Sequence, residues 1–498
     1  MTDHSSFPDP TYRDTVLAPL FDGVKTHFAA HMTAINEAHL VMLVETGILS
    51  RADGTKIAHA LKAIAAETDI DALEYTGEYE DYFFVVEADL KRRLGDLGGA
   101  LHTARSRNDM DHTLFKMALR DRADATFGRM IALTQALIAK ARDERETLIV
   151  AYTHGQPAQP TTFGHYLAAV IEVLVSDMRR FGSASEALEL CPMGAAAITT
   201  SGFAIDRARM AALLGFAAPK QNAYGSIASV DYITGLYSAL KLPMLHLGRV
   251  VQDMAFWSAF EVGQLHVPRS LVQISSIMPQ KRNPVPVEHM RHLASMAAGR
   301  AEAVIATIHN TPFTDMNDSE GEVQQAGFGA FENANRVLDL LAAFLPACTI
   351  NADRVARTTD AACITITELA DTMVRTERLS FRQAHEIAAA TARAVISRSS
   401  ALRAGYPDFA AAFSDIAGRK TTLDEAGFQD AVDPRSFVAR RDRYGGPAPQ
   451  VLDDALSGYT AAVAQIVDEQ RAQRQRRQTA ANERRAAFEA LLSESERD

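Results

Sequence analysis

The chain has 498 residues, of which 47% are hydrophobic and 23% charged, so it is long enough for about three domains of ordinary globular composition. Its formal net charge is −11 at pH 7, which argues against nucleic acid or an anionic membrane as a partner, because both require a basic surface. A single Trp against abundant Ala and Leu favours helices over sheets, and we therefore expect an all-α protein.

The first residues and the cysteines indicate a cellular compartment. Residues 1–14 are polar and lack the basic start and apolar centre of a secretory signal. The sequence contains no apolar run near the roughly 18 residues needed to span a bilayer. Three scattered cysteines without metal-ligand spacing fit a reducing environment better than a disulfide framework. We expect a cytoplasmic protein without a metal ion.

The first part of the chain has a helical pattern. Between residues 22 and 94 apolar side chains recur near a 3.6-residue spacing, and Gly47 and Gly54 mark turns. A polar loop at residues 98–109 leads into a long amphipathic segment, which we predict to be helical over residues 110–152. These features predict an N-terminal helical domain over residues 1–110.

Long helices are predicted for the middle of the chain. Residues 161–187, 226–260 and 287–307 are rich in Ala and Leu on several faces, which is typical of helices buried on more than one side. They predict a central long-helix bundle over residues 111–360, and their apolar faces favour an oligomer. From residue 361 the helices become shorter, which predicts a C-terminal helical domain over residues 361–498. We interpret the charged residues 468–498 as a solvated helix.

One loop carries an unusual set of polar side chains. Residues 275–284 read Ser-Ser-Ile-Met-Pro-Gln-Lys-Arg-Asn-Pro, so two adjacent hydroxyls lie near Lys281 and Asn283. A hydroxyl beside a cation and an amide is suited to chemistry in which negative charge develops on the substrate. The loop therefore predicts a catalytic site for an anionic substrate, and we expect it to be mobile.

Three segments together resemble one known family. Residues 275–284, which we call the serine loop, are similar to the flexible loop of the aspartase/fumarase superfamily. Residues 101–109 and 153–160 resemble the first and second signature regions as they occur in argininosuccinate lyases. The resemblance implies a reversible carbon–nitrogen lyase that eliminates fumarate from an N-substituted L-aspartate without any cofactor. It also implies a homotetramer whose active sites are each shared by three subunits.

The resemblance assigns roles to individual residues. Ser275 corresponds to the base that removes the Cβ proton, and Lys281 and Asn283 to the residues that hold the carboxylate whose aci-form develops in the transition state. His154, with Glu288, corresponds to the pair that handles the amine or its proton. The catalytic residues are therefore Ser275, His154, Glu288 and Lys281, and the substrate-binding residues are Ser106, Arg107, Asn108, Thr153, Ser276, Met278, Asn283, Tyr224, Asp315 and Glu320.

The sequence departs from argininosuccinate lyases at the amine end. Asp315 and Glu320 stand where those enzymes carry Tyr and Gln, and Ile274 replaces the Gly before the paired serines. Such changes are expected of an altered substrate, and they favour an amine other than arginine, as in ethylenediamine-disuccinate. Authentic argininosuccinate lyase is the alternative, followed by adenylosuccinate lyase. A crystallin-like structural protein is a fourth hypothesis, which the retained site residues disfavour.

Overall fold

Helices form almost the whole of the computed structural model, which describes residues 7–493. Residues 1–6, which belong to the segment considered for a secretory signal, and residues 494–498 of the charged tail lie outside the described residues. The all-α prediction is confirmed. No helix within residues 7–493 is long and apolar enough to cross a membrane.

The helices follow one another with few interruptions. In chain order they are α1 (Pro10–Tyr12), α2 (Ala18–His27), α3 (Ala29–Glu45), α4 (Arg51–Glu67), α5 (Tyr82–Leu94), α6 (Arg107–Asp143), α7 (Phe163–Ser185), α8 (Arg207–Leu213), α9 (Ala223–Ala228), α10 (Asp231–Ser258), α11 (Val285–Thr307), α12 (Gly321–Ala347), α13 (Ala352–Ala361), α14 (Ile366–Glu377), α15 (Phe381–Ser397), α16 (Tyr406–Ala417), α17 (Glu425–Val432), α18 (Pro434–Ala439) and α19 (Pro449–Leu492). A π-helical turn, Arg13–Leu17, joins α1 to α2, and 3-10 turns lie at Gly95–His102, Glu186–Glu189, Arg269–Leu271, Asn317–Ser319 and Leu402–Ala404.

Eight short strands form four two-stranded sheets among the described residues. Antiparallel pairs are β1 (Leu148–Thr153) with β2 (Gln156–Thr162), β5 (Leu265–His266) with β8 (Thr349–Ile350), and β6 (Gln273–Ile274) with β7 (Arg282–Asn283). The parallel pair is β3 (Leu190–Cys191) with β4 (Ala218–Pro219). These sheets fix the ends of loops and do not form a layer of their own.

The five long helices α6, α7, α10, α11 and α12 pack side by side as the central bundle. Their buried side chains are mainly Leu, Ala, Met and Phe, as the composition predicts. Helices α10 and α12 approach closely at Gly327, where an added Cβ would lie 2.1 Å from the hydroxyl oxygen of Tyr237. A glycine is required there because any larger side chain would push the two helices apart.

The predicted helix over residues 110–152 is wrong at its end. Helix α6 stops at Asp143, and residues 148–153 form strand β1. The β-branched Ile149 and Val150 favour an extended backbone, and they are buried there. The result is a β-hairpin at the point where the second signature region begins.

Two separate apolar cores hold most of the described residues together. The larger one contains side chains from residues 21–348 together with residues 452–491 of α19, and the smaller one lies within residues 363–432. The charged tail is helical as expected, but it is not simply solvated, because Phe488 and Leu491 are buried against the larger core. An ion pair of 3.0 Å between Arg484 and Glu37 also joins it to α3. The three-domain division with boundaries at residues 110 and 360 stays a prediction.

Candidate active site

The first signature region forms the entrance of α6. Ser106 is the N-cap residue, and its hydroxyl oxygen accepts a hydrogen bond of 3.3 Å from the backbone N–H of Asn108. Asp109 completes the capping box by accepting from the Ser106 N–H at 2.9 Å. Its other carboxylate oxygen accepts from the N–H groups of Gly194 and Ala196 at 2.8 and 2.9 Å. Burial raises the pKa of Asp109 to about 6. This buried carboxylate fixes the start of α6 against the loop at residues 192–201.

Two further hydrogen bonds hold the loop that precedes α6. Arg105, which is buried, donates to the side-chain oxygen of Asn36 at 2.8 Å. The ring of His39 donates from Nε2 to the carbonyl oxygen of Thr103 at 2.9 Å. Burial lowers the pKa of His39 well below its ordinary value, so the ring is neutral. The loop is therefore held in place before any substrate binds.

A cavity of about 410 Å³ opens beside this loop. It is lined by five residues that the sequence predicted as substrate-binding, namely Ser106, Arg107, Asn108, Asp315 and Glu320. Glu80 and Asp111 also line it. We call the carboxylates of Glu80, Asp111, Asp315 and Glu320 the acidic recess. A single chain thus brings the first signature region together with the two acids that depart from the family pattern.

The guanidinium of Arg107 is already paired with carboxylates. It lies 3.1 Å from Glu80, 2.8 Å from Asp81 and 3.9 Å from Asp111. Burial opposes its charge, but these acids outweigh burial and raise the pKa of Arg107 above its ordinary value. As a clamp for a substrate carboxylate, Arg107 would have to release one of these partners.

Burial and neighbouring carboxylates perturb two acids of the recess, Asp111 and Glu320. Burial raises the pKa of Asp111 well above its ordinary value, and nearby Glu320 raises it further. Burial, with a contribution from Asp315, raises the pKa of Glu320 to about 7. At neutral pH a proton therefore occupies Glu320 for part of the time.

His112 lies behind the acidic recess, although the sequence gave no reason to place it there. Its ring is fully buried, with Nδ1 3.1 Å from the hydroxyl of Tyr232 and Nε2 3.6 Å from Oδ1 of Asp315. Neither His112 Nε2 nor Asp315 Oδ1 has a hydrogen-bond partner within residues 7–493. Sequence reasoning missed Glu80, Asp111 and His112. Only Asp111 left a signal, because it follows Arg107 by four residues on one helix face.

The second signature region forms the turn of the β1–β2 hairpin. Thr153 pairs with Gln156, and the two residues between them have positive φ angles, 54° for His154 and 73° for Gly155. This is the backbone of a type I′ turn, which favours Gly and carries the His154 side chain at its tip. His154 lines a second cavity of about 530 Å³ together with Tyr166, Asp253 and Trp257. Within the described chain Glu288, exposed in the first turn of α11, forms no ion pair with His154.

The serine loop is the connection between β6 and β7. Its base is fixed by the pairing of Gln273 with Asn283 and by a 2.6 Å hydrogen bond from Arg282 to the carbonyl oxygen of Val267. Directly after β6 the hydroxyl oxygen of Ser275 accepts hydrogen bonds from the backbone N–H groups of residues 277 and 278 at 3.4 and 3.1 Å. Ser276, Met278 and Lys281 are exposed, and Ile277 is 82% exposed.

Tyr224 lies near the acidic recess without lining it. Its ring stacks on Phe313 with centroids 6.0 Å apart and an angle of 27° between the planes. Phe313 precedes Asp315 by two residues, so Tyr224 contacts the segment that supplies Asp315 to the recess. The predicted site residues therefore occupy three places: the recess with Tyr224, the hairpin tip, and the serine loop with the first turn of α11, which carries Glu288. No hydrogen bond or ion pair joins these three places within residues 7–493.

Two family models match this chain. The family model described as lyase matches residues 24–299, and that described as argininosuccinate lyase C-terminal matches residues 363–439. The first match contains all three signature regions. The second coincides with the smaller apolar core.

Individual relatives point to the same family. The chain is 58% identical over 460 residues to argininosuccinate lyase 2 of Agrobacterium fabrum, which covers 92% of this chain and 91% of that protein. It is 32% identical over 422 residues to argininosuccinate lyase of Methanosphaera stadtmanae, with 84% and 90% covered. The crystal structure of EDDS lyase in complex with formate superposes with a TM-score of 0.82 at 26% identity, covering 97% and 96% of the two chains. The chain belongs to the argininosuccinate lyase family of the aspartase/fumarase superfamily and is a carbon–nitrogen lyase that releases fumarate.

Proposed function

We propose that this lyase acts on an N-substituted L-aspartate of the ethylenediamine-disuccinate type, with Ser275 as the base. The proton leaves the Cβ of the succinyl group, the bond between Cα and nitrogen breaks, and the nitrogen takes up a proton. The products are fumarate and the free amine. The observation that carries the proposal is the acidic recess, which places Asp315 and Glu320 in the same cavity as Ser106, Arg107 and Asn108. The likeness to EDDS lyase structures supports it.

The geometry of the serine loop supports the role of Ser275. A serine hydroxyl is a poor base unless its negative form is stabilised. Two backbone N–H groups already point at the Ser275 oxygen, and such donors stabilise a negative oxygen. Lys281 and Asn283 lie on the same hairpin, where they supply a positive charge and an amide donor for the substrate carboxylate.

The remaining groups complete the site from neighbouring subunits of a homotetramer. In this arrangement His154 and Glu288 handle the proton of the amine, while Thr153, Ser276 and Met278 contact the fumarate half. Each active site then combines the three signature regions from different chains. Exposed apolar side chains on the central helices support the assembly, namely Val173 on α7, Leu245 on α10 and Met296 on α11.

Argininosuccinate lyase activity is the second candidate. It is favoured by the 58% identity to a relative of that name. The two candidates share the fumarate half and differ only in the amine.

Fumarate absorbance after addition of ethylenediamine-disuccinate or argininosuccinate ranks the two candidates directly. We expect faster release from ethylenediamine-disuccinate, and faster release from argininosuccinate would favour the second candidate. Ser275→Ala should fold and assemble normally but lose turnover by about three orders of magnitude or more. Ser457→Ala, which removes an exposed hydroxyl on α19, is the matched control. Retained turnover in Ser275→Ala would remove this serine from the mechanism.

A further inference from the structure

The charges around the acidic recess are unbalanced. Five carboxylates line the cavity, the four of the acidic recess and that of Glu87, and Arg107 is the one arginine or lysine among its lining side chains. That guanidinium is already shared by Glu80, Asp81 and, at 3.9 Å, Asp111, and Glu87 is paired with Lys91. Within residues 7–493 Asp315 and Glu320 therefore have no ion pair with a lysine or an arginine.

Holding these carboxylates together is unfavourable for the free protein. Crowded, half-buried acids repel one another, which agrees with the raised pKa values of Asp111 and Glu320. Perturbed acids of this kind cluster at functional sites, where a ligand relieves the repulsion. A cation that entered the recess would reduce the repulsion between its carboxylates.

His112 supplies a second and independent observation. It is fully buried, and its Nε2 atom lacks a hydrogen-bond partner while lying 3.6 Å from Asp315 Oδ1, which also lacks one. Unpartnered buried polar atoms are unfavourable unless something else satisfies them. A ligand that donates hydrogen bonds to Asp315 would satisfy its free oxygen.

The shape of the cavity favours an organic cation. Within the described residues no group of three or more His, Cys, Asp and Glu side chains is arranged to hold a metal ion. The volume of about 410 Å³ suits an arm of a few heavy atoms in addition to a succinyl group. Ser106 and Asn108, which correspond to the fumarate end, line the same cavity, so the arm extends from the reacting nitrogen towards the acids.

We infer that the acidic recess binds a second, positively charged group of the leaving amine. The enzyme then selects N-substituted aspartates whose amine carries a cation on its far arm over those whose arm is neutral or anionic. This inference rests on the proposed function and adds to it the charge of the arm. Asp315 and Glu320 are its principal specificity-determining residues.

Matched amines test the inference in the direction of addition. The probes are 1,3-diaminopropane, 3-aminopropan-1-ol and 4-aminobutanoate, whose far groups are cationic, neutral and anionic. In each reaction the amine nitrogen bonds to one olefinic carbon of fumarate and a proton is added to the other. We expect kcat/KM for the diamine to exceed that for the amino alcohol by about tenfold or more, with the amino acid slowest. Equal values for the three probes would overturn the inference.

Charge-removing variants locate the effect. Glu320→Gln and Asp315→Asn should each reduce the preference for the diamine by about tenfold, mainly through KM, while changing addition of the amino alcohol much less. Asp415→Asn, which removes an exposed carboxylate on α16, is the control and should keep the preference. An unchanged preference in both recess variants would contradict the inference while leaving the proposed function intact.

A separate binding measurement distinguishes failure of the proposed function from failure of the inference about the recess. If no amine adds to fumarate and no fumarate is released, the proposed function is wrong. Calorimetric titration of the assembled protein with 1,3-diaminopropane alone then still shows whether the acidic recess binds a cationic amine. Binding to the wild-type protein that weakens about tenfold in Glu320→Gln supports the inference, and absence of binding, or equal binding to both proteins, overturns it.

Discussion

Two acids near the entrance of α6, the buried Asp109 and the half-buried Glu320, have opposite roles. Asp109 accepts three backbone N–H groups, so it is satisfied by the fold and holds the first signature region rigid. Glu320 faces other acids, and burial and Asp315 keep its pKa near 7. The first carboxylate therefore builds the site, whereas the second is held in an unfavourable environment that a ligand can improve.

Glu320 gives a prediction about stability and pH. A carboxyl whose pKa is higher in the folded state than in the unfolded chain makes folding less favourable as pH rises from about 4.5 to about 7. The groups that face it are Asp315, Arg107, Asp81, Glu80 and Asp111. Glu320→Gln removes the titration, so the variant should gain on the order of 2 kcal/mol over the wild type at pH 8 and little at pH 4.5. Unfolding in urea at both pH values measures this difference. A gain of the same size at both pH values would show that another effect dominates.

At the scale of elements, the C-terminal core depends on one acid at the end of α14. The carboxylate of Glu377 accepts hydrogen bonds from the Thr421 hydroxyl at 2.7 Å and from two backbone N–H groups, of Thr422 at 2.6 Å and Leu423 at 3.0 Å. Arg419 adds an ion pair of 2.8 Å. This single side chain fixes the connection between α16 and α17 against α14.

The charge of Glu377 gives the second stability prediction. Burial opposes its ionisation, but the hydrogen bonds from residues 419–423 outweigh burial and lower its pKa to about 2. An acid whose pKa is lowered in the folded state stabilises the fold above about pH 4.5. This stabilisation is lost as the pH falls towards 2. Glu377→Gln should therefore lower the free energy of opening of the smaller core by about 2 kcal/mol at pH 7. Hydrogen exchange of residues 363–432 measures this change. Glu425→Gln, an exposed acid of α17, is the control, and equal exchange in both variants would contradict the assignment.

Most of the helices could be predicted from the sequence, whereas the hairpin and part of the acidic recess could not. The long helices followed from their apolar residues. Ser106, Arg107 and Asn108 were predicted as substrate-binding from the resemblance to the first signature region, and they lie at the entrance of α6. The hairpin after α6 was missed because the preceding segment was taken as a continuous helix, and the His154-Gly155 pair at its turn is not one of the usual two-residue hairpin signals. The acidic recess was accessible only in part. Asp315 and Glu320 departed from the family pattern, but Glu80 comes from a distant segment that only the fold brings near them.

At the scale of the molecule, one chain holds only fragments of the proposed active site. The acidic recess, the hairpin tip and the serine loop occupy three places, and no hydrogen bond or ion pair connects them in the described part of the chain. The proposed homotetramer, in which each of several chains contributes one region, would bring these places together. A homotetramer would have a mass of about 217 kDa, four times the 54.2 kDa of one chain.

Mixing two inactive variants tests whether the sites are shared. Ser275→Ala damages the serine loop and Arg107→Ala damages the entrance of α6, so each homotetramer should be inactive. If the two residues of a site come from different subunits, an equal mixture of chains restores about a quarter of the sites by random assembly. Co-expression with two different tags, followed by a fumarate assay on the doubly tagged tetramers, measures the recovery. Each variant expressed alone is the control. If both residues came from the same chain, every site would contain one damaged residue, and the mixture would remain as inactive as its parents.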